Sequence, residues 1–232
     1  MVNPSAGVSA PLPHFEIVTE RLERLRDAHL YLVCDDQPDD FLHAVLGAGA
    51  DLVQLRMKGA PDDAILTAAG RFAAIAAEHD ALFILNDRPD LVDPAGADGV
   101  HVGQDDASVA EARAAVGSDR IVGLSTHSRE QVDAAGGAGV DYFAVGPVHE
   151  TPTKPGRPAV GLELVRYAAA HATVPFFAIG GIDTTNVGEV AGAGATRIVV
   201  VRALTTAVDP ENAARALRSE ITSRGVRLGS AQ

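Results

Sequence analysis

Eight short β-rich apolar segments, separated by stretches with helical spacing, constrain the fold of this chain more than any other feature. The predicted strands are Leu30–Asp35, Leu52–Arg56, Leu82–Asp87, Gly99–Gly103, Ile121–Thr126, Tyr142–Pro147, Pro175–Gly181 and Ile198–Arg202. Helical patterns lie between most of them, as at Ala64–Ala77, Ser128–Ala135, Gly161–Ala170 and Pro210–Ile221. Strands that alternate with helices pair in parallel through right-handed crossovers. Eight such units in 232 residues predict one α/β domain, a (β/α)8 TIM barrel.

An open, doubly wound sheet is the other fold that alternating strands and helices can form. It usually has fewer strands and a glycine-rich turn after the first one, whereas the glycine-rich turns of this chain come late. We predict a short N-terminal extension and lead-in helix at residues 1–27, the barrel at 28–224 and a tail at 225–232. Asp209, followed by proline, predicts the start of the last helix, and Asp183–Asn186 predicts a weaker start.

Charge and composition limit the class of partner. The formal net charge is -12 and the pI is about 5.0, which argues against nucleic acid or an anionic membrane as the main partner. No apolar run approaches the roughly 20 residues that cross a bilayer, and residues 1–13 lack the pattern of a secretory signal, so a cytoplasmic location is expected. Cys34, the only cysteine, lies in an apolar run and is predicted to be a core residue rather than a nucleophile.

Long polar side chains end the second predicted strand. Alternation along this strand places Gln54, Arg56 and Lys58 on one face, and Leu55 and Met57 on the other. In a barrel, the C-terminal ends of the strands carry the residues that do chemistry. Two cations and an amide at such an end predict a site for an anion with several oxygens, although a solvated strand end would show the same pattern.

Two carboxylates follow the next two strands. Asp87 ends the third predicted strand and Asp106 lies just after the fourth, so both are expected at the same rim of the barrel. Carboxylates beside cations, around a phosphorylated ligand, suit one Mg2+ ion that takes few protein oxygens and completes its shell with phosphate. The alternative is that either aspartate caps the following helix, and this alternative carries most weight for Asp106.

The fifth strand ends with a serine and a histidine. Ser125 and His127 could be a nucleophile and its base, but they are two residues apart and no orienting acid is evident. A hydroxyl that hydrogen-bonds a phosphate, with Ser128 capping the next helix, explains the segment better. His101, inside the fourth strand, is predicted to be structural, and the role of His127 stays open.

A second anion site is predicted after strands six to eight. The loop after strand six carries Thr151, Thr153 and Lys154 between prolines and could order over a ligand. Strand seven ends in two glycines, including Gly181, whose backbone can approach a ligand closely, and strand eight ends at Arg202. The pattern therefore indicates two phosphorylated small molecules meeting over one barrel mouth.

Taken in order, the residues at the strand ends resemble those of thiamine-phosphate synthase, over roughly residues 28 to 222. The motifs are Gln54-Leu55-Arg56-x-Lys58, Asn86-Asp87-Arg88, His101-x-Gly103-Gln104-x-Asp106, Gly146-Pro147, Thr151-x-Thr153-Lys154 and Gly180-Gly181-Ile182. Each motif is weak alone, but the ordered set is highly specific. The resemblance implies a transferase of thiamine biosynthesis, with a (β/α)8 barrel and a Mg2+ ion in the active site.

The resemblance also implies a reaction and the residues that perform it. Hydroxymethylpyrimidine diphosphate would lose diphosphate, ahead of attack by the nitrogen of a thiazole phosphate or of its carboxylated tautomer. The pyrimidine diphosphate would contact Gln54, Arg56, Lys58, Asn86, Ser125 and Lys154, and the catalytic set would be Arg56, Lys58, Ser125 and Lys154. The thiazole phosphate would contact Thr151, Thr153, Gly181, Val201 and Arg202, and Mg2+ would be held by Asp87 and Asp106.

Two positions depart from the family's usual pattern. Met57 replaces an acidic residue, and by alternation it should point away from the site with little catalytic effect. Arg202 stands where many members have serine, and it would either strengthen phosphate binding or crowd the pocket. Neither departure removes a predicted metal ligand or diphosphate contact.

Two other functions compete with the synthase interpretation. A thiazole tautomerase with the same barrel would use His127 as its acid–base group, but it would not need the cations and carboxylates near strands two to four. A non-catalytic barrel would bind phosphorylated ligands without turnover. The sequence does not determine the oligomeric state, and a homodimer is one assembly consistent with it.

Overall fold

The eight predicted strands form a closed barrel. The computed structural model describes residues 14–151 and 158–229. Its strands are β1 (Leu30–Cys34), β2 (Leu52–Leu55), β3 (Leu82–Asn86), β4 (Gly99–Val102), β5 (Ile121–Thr126), β6 (Tyr142–Val145), β7 (Phe176–Ile179) and β8 (Ile198–Val200). Each pairs in parallel with its sequence neighbours, and β1 pairs with β8 to close the ring. The TIM-barrel prediction is confirmed, and each predicted segment contains one of these strands.

Helices lie around the outside of the barrel and connect most of its strands, while a 3-10 turn at Pro89–Leu91 lies between β3 and β4. They are α1 (His14–Asp27), α2 (Asp39–Gly47), α3 (Asp62–Glu78), α4 (Val109–Val116), α5 (Arg129–Ala135), α6 (Gly161–His171), α7 (Val187–Gly192), α8 (Arg202–Thr205) and α9 (Pro210–Gly229). The predicted cap of the last helix is confirmed, because the carboxylate of Asp209 accepts the Asn212 N–H at 2.9 Å. Helix α9 continues to Gly229, past residue 225, where the predicted tail begins.

The apolar core has two layers, one on each side of the strands. Along β1, Leu30, Leu32 and Cys34 pack toward the helices, while Tyr31 and Val33 fill the barrel interior. Cys34 is thus the core residue that the sequence predicted, and burial raises the pKa of its thiol well above the usual range. A neutral, enclosed thiol is a poor nucleophile.

The N-terminal mouth of the barrel is closed by the lead-in segment. Leu25 of α1 and the following Ala28 pack into the interior cluster. Arg21 of α1 forms an ion pair with Asp98 at 2.8 Å, which attaches the helix to the start of β4. The C-terminal ends of the strands are therefore the side on which cavities can open. Within residues 14–151 and 158–229, no helix is both long and apolar enough to span a membrane.

Candidate active site

Two cavities lie at the C-terminal ends of the strands. The smaller, about 350 Å³, is lined by residues that end or follow β2, β3 and β4, which we call the β2–β4 rim. The larger, about 480 Å³, is lined by residues that end or follow β5 to β8, which we call the β5–β8 rim. Most of the predicted site residues that the structure describes line one of these two cavities, whereas Gln54 and Arg56 line neither.

The end of β2 follows the predicted alternation in most respects. Gln54 is 3% exposed and faces the barrel interior, where its amide bonds to Tyr31, whereas Leu55 and Met57 pack against the outer core. Met57 also lines the smaller cavity, so the prediction that it points away from the site holds only in part. Arg56 is half-buried, and its guanidinium has no ion pair or hydrogen bond with the part of the chain that the structure describes.

Lys58 and the two predicted metal ligands lie together on the β2–β4 rim. The ammonium nitrogen of Lys58 is 2.7 Å from an oxygen of Asp87 and 3.6 Å from an oxygen of Asp106. Asp87 has a positive φ of 60°, a conformation that costs energy for a residue other than glycine and that is common at functional sites. Its N–H bonds to the His101 carbonyl at 2.9 Å, which fixes this conformation at the end of β3.

Asp106 is held by the loop that follows β4. One of its oxygens accepts the Gly103 N–H at 3.0 Å, and a Cβ at Gly103 would come within 2.5 Å of that oxygen. Burial opposes ionisation of Asp106, but hydrogen bonding to Asp87 and the charge of Lys58 outweigh it and lower the pKa of Asp106. The alternative that Asp106 caps the next helix is wrong, because Ser108 caps α4 and forms a capping box with Glu111.

The two other members of the Asn86-Asp87-Arg88 motif have different surroundings. Asn86 ends β3 and lines the smaller cavity. Arg88 also lines it, but its guanidinium pairs with Asp90 and Asp62, and these hydrogen bonds raise the pKa of Arg88. The charge of Arg88 is thus largely neutralised within the protein, whereas Arg56 has no such partner among the residues that the structure describes.

Ser125 lies on the inner face of β5 and lines the larger cavity. Its hydroxyl is 2.9 Å from Nε2 of His101, and its carbonyl accepts the Gln104 side-chain amide at 2.6 Å. The sequence assigned His101 a structural role and did not anticipate this contact. The other ring nitrogen of His101 bonds to the Tyr142 hydroxyl, whereas a hydrolase triad has a carboxylate at that position.

His127 lines the larger cavity next to Ser125. Its Nδ1 hydrogen-bonds to the Gly146 carbonyl, which can only accept, so the hydrogen is on Nδ1. Ser128 caps α5 as predicted, because its hydroxyl accepts the N–H of Gln131 at 3.3 Å. The position of His127 is compatible with contact to a ligand, and its role stays open.

Four predicted thiazole-phosphate contacts line the larger cavity. They are Thr151, Gly181, Val201 and Arg202. Gly180 and Gly181 have φ angles of 106° and 63°, which only glycine adopts readily, and their close packing on the loop after β6 leaves no room for side chains. Thr153 and Lys154 lie outside the described residues.

The larger cavity also contains two carboxylates that the sequence did not single out. Glu150 follows β6 and Asp183 follows β7, and both line the cavity. Asp183 hydrogen-bonds to the Thr185 hydroxyl, which together with backbone N–H groups lowers the pKa of Asp183. Its position after a strand end was the signal available in the sequence, but the segment was interpreted only as a helix start.

Comparisons with known proteins agree with this geometry. Residues 30–204 match the family described as thiamine monophosphate synthase. The thiamine-phosphate synthase of Acidothermus cellulolyticus is 53% identical over 197 residues, which cover 82% of this chain and 93% of the relative. That of Mycobacterium marinum is 48% identical over 213 residues, covering 85% and 97%. The solved thiamine phosphate pyrophosphorylase from Pyrococcus furiosus superposes with a TM-score of 0.78 at 31% identity, covering 84% of this chain and 96% of that one.

Proposed function

The chain belongs to the thiamine-phosphate synthase family of transferases, and from this premise we propose how its two rims divide the reaction. The β2–β4 rim would bind the diphosphate of hydroxymethylpyrimidine diphosphate, and the β5–β8 rim would bind the thiazole phosphate. The observation that carries this proposal is the separation of the charged groups. Arg56, which has no ion pair within residues 14–151 and 158–229, follows β2 together with Lys58, near Asp87 and Asp106, whereas Arg202 lies in the larger cavity.

Loss of diphosphate is the step in which negative charge develops. The C–O bond to the pyrimidine methylene breaks and both electrons leave with the diphosphate oxygen. Arg56 and Lys58 would stabilise that charge, and they would contribute most when the oxygen carries more charge in the transition state than in the substrate. Lys154 was predicted to assist from the loop after β6.

The residues on the β2–β4 rim fit a divalent cation. The ammonium of Lys58 already lies between Asp87 and Asp106, which shows that these two carboxylates converge on a positive charge. Mg2+ commonly binds through one or two carboxylates together with substrate phosphate. Asp87 and Asp106 are the residues that would hold it, and the ion when bound would supply additional positive charge to the leaving diphosphate.

The second half of the reaction needs orientation rather than a base. The thiazole nitrogen has a lone pair and attacks the methylene carbon to form the C–N bond, and no proton has to be removed from it. The larger cavity is suited to position this nucleophile, with Gly181 and Val201 offering backbone and Arg202 offering charge to the phosphate. Orientation of two bound reactants is itself a large catalytic contribution.

A diphosphate-release assay tests the proposal. Hydroxymethylpyrimidine diphosphate is incubated with the enzyme, with and without thiazole phosphate and with and without Mg2+. We expect diphosphate release that requires the enzyme, thiazole phosphate and Mg2+, with one thiamine phosphate formed per diphosphate. Binding of the thiazole phosphate without release would contradict the synthase assignment and favour a tautomerase or a binding protein. The cytoplasmic location and a homodimeric assembly stay predictions.

A further inference from the structure

Five buried polar side chains form one continuous hydrogen-bonded chain inside the barrel. They are Gln54, Tyr31, Tyr142, His101 and Ser125, and none is more than 8% exposed. The amide nitrogen of Gln54 lies 2.5 Å from the Tyr31 hydroxyl, which lies 3.0 Å from that of Tyr142. The Tyr142 hydroxyl lies 3.0 Å from Nδ1 of His101, and Nε2 of His101 lies 2.9 Å from the Ser125 hydroxyl oxygen. The chain thus connects the end of β2 to β5.

The donor at one end fixes the direction of every hydrogen bond in this chain. The amide nitrogen of Gln54 can only donate, so the Tyr31 oxygen accepts and its hydrogen goes to Tyr142. Tyr142 then donates to Nδ1 of His101, which must be unprotonated. In neutral histidine the hydrogen is then on Nε2, which donates to Ser125. The hydroxyl hydrogen of Ser125 is not used by the chain and is left for another acceptor.

Both tyrosines stay neutral and act only as hydrogen-bond donors and acceptors. Burial raises the pKa of both phenols far above the range in which an enzyme works, so each keeps its hydrogen. Their rings are fixed by aromatic contacts, with Tyr142 centred 6.0 Å from Tyr31 and 5.5 Å from Phe177. The inner members Tyr31, Tyr142 and His101 each have a partner on both sides, which makes the arrangement rigid.

A glycine in β5 makes room for the hydrogen-bonded side chains. Tyr142 lies opposite Gly123 of β5, and a Cβ at Gly123 would come within 2.2 Å of the Tyr142 ring and 2.5 Å of its hydroxyl. His101 pairs with the same glycine from the other side. The absence of a side chain at Gly123 is therefore what allows Tyr142 to reach His101 across β5.

We propose that His101 is a positioning residue, which through this one-directional chain holds the Ser125 hydroxyl as a hydrogen-bond donor toward the larger cavity. The acceptor would be a ring nitrogen or a phosphate oxygen of the pyrimidine substrate, and this part rests on the function proposed above. Ser125 is the member of these five side chains that lines the cavity, so the hydrogen-bond direction fixed by the Gln54 amide determines where the Ser125 hydroxyl points its hydrogen. The role differs from both a nucleophile and a purely structural histidine.

The tautomer of His101 is the direct test and needs no substrate. Long-range proton–nitrogen NMR of the imidazoles, with the His101 signals assigned by their loss in His101→Phe, should show the hydrogen on Nε2 and none on Nδ1. Tyr142→Phe, which keeps the ring and removes one oxygen, should shift His101 toward a mixture of tautomers. A hydrogen on Nδ1 of the wild-type protein would overturn the proposal, because the chain would then run in the opposite direction.

A double-mutant cycle separates positioning from structural support. Ser125→Ala and His101→Phe are each expected to lower kcat/KM about 3- to 10-fold, the effect of losing one neutral hydrogen bond. The double variant should be no slower than Ser125→Ala, because His101 acts through Ser125. Multiplying effects would overturn the positioning role. An inactive wild-type enzyme would refute the proposed function. The His101 tautomer measured by NMR would still test the proposed direction of the hydrogen bonds.

Discussion

The two rims of the barrel mouth are built to hold anions by different means. The β2–β4 rim gathers side-chain charge, with Arg56, Lys58, Asp87 and Asp106 at or near the ends of three adjacent strands. The β5–β8 rim offers a larger cavity with glycine backbone, hydroxyls and Arg202. In the proposed function the first rim would stabilise charge that develops on the leaving diphosphate, whereas the second would bind a phosphate whose charge does not change.

The largest effect is expected from Asp87→Ala, which removes one of the two carboxylates that would hold Mg2+. Turnover should fall by roughly 100- to 1,000-fold, because stabilisation of the leaving diphosphate is lost. Steady-state kinetics over a range of Mg2+ concentrations measure the effect. Asp93→Ala is the matched control, since Asp93 pairs with Arg120 outside both cavities and should leave turnover unchanged. Asp87→Ala with near-wild-type activity would refute the metal role.

The next effect tests whether the β2–β4 rim acts in the transition state. Arg56→Ala should lower kcat about 100-fold with a smaller change in KM, because the charge that Arg56 would contact grows as the C–O bond breaks. Single-turnover kinetics with saturating substrates report the chemical step. A variant that raises KM and keeps the wild-type kcat would show that Arg56 only binds substrate.

Arg202→Ala should give the opposite kinetic pattern on the β5–β8 rim. Loss of one charge-assisted contact to a phosphate is expected to raise KM for the thiazole phosphate about 10-fold, while kcat changes little. Arg202→Ser introduces the residue that many family members have at this position and distinguishes the two expectations for Arg202. Tighter binding in the serine variant would mean that the arginine crowds the cavity.

The smallest effect is expected from Cys34→Ser, which lies on the helix-facing side of β1. Catalysis should stay within about threefold of wild type. The free energy of unfolding should fall, because a buried hydroxyl without a hydrogen-bond partner costs about 1–3 kcal/mol. Thermal unfolding and steady-state kinetics on the same preparation separate the two quantities. Loss of activity at wild-type stability would give Cys34 a catalytic role that its burial does not support.

Sequence patterns predicted the fold and the β2–β4 rim more completely than the contacts inside the barrel. Each strand was recognised, because short β-rich runs between helical patterns repeat eight times. Asp87, Asp106 and Lys58 could be expected together, since strand ends in a parallel barrel meet at one rim. This inference needs only the order of strands and residues close to their ends.

The contacts that the sequence missed depend on register between strands. The bond between His101 and Ser125 follows from the alignment of β4 and β5, and the reach of Tyr142 depends on its pairing with Gly123. Neither register can be obtained from the spacing of residues within one segment. Asp106 was considered as a helix cap for a different reason, because it lies just before a helical segment in which Ser108 takes that position.

Equilibrium binding to two variants tests the division between the rims most directly. The Kd of inorganic diphosphate with Mg2+ and the Kd of thiazole phosphate are measured by calorimetry for the wild-type enzyme, Arg56→Ala and Arg202→Ala. We predict that Arg56→Ala weakens only diphosphate binding and that Arg202→Ala weakens only thiazole-phosphate binding, each by about 10-fold or more. If either variant weakened both ligands equally, the two rims would form one undivided anion site, and the account would be contradicted.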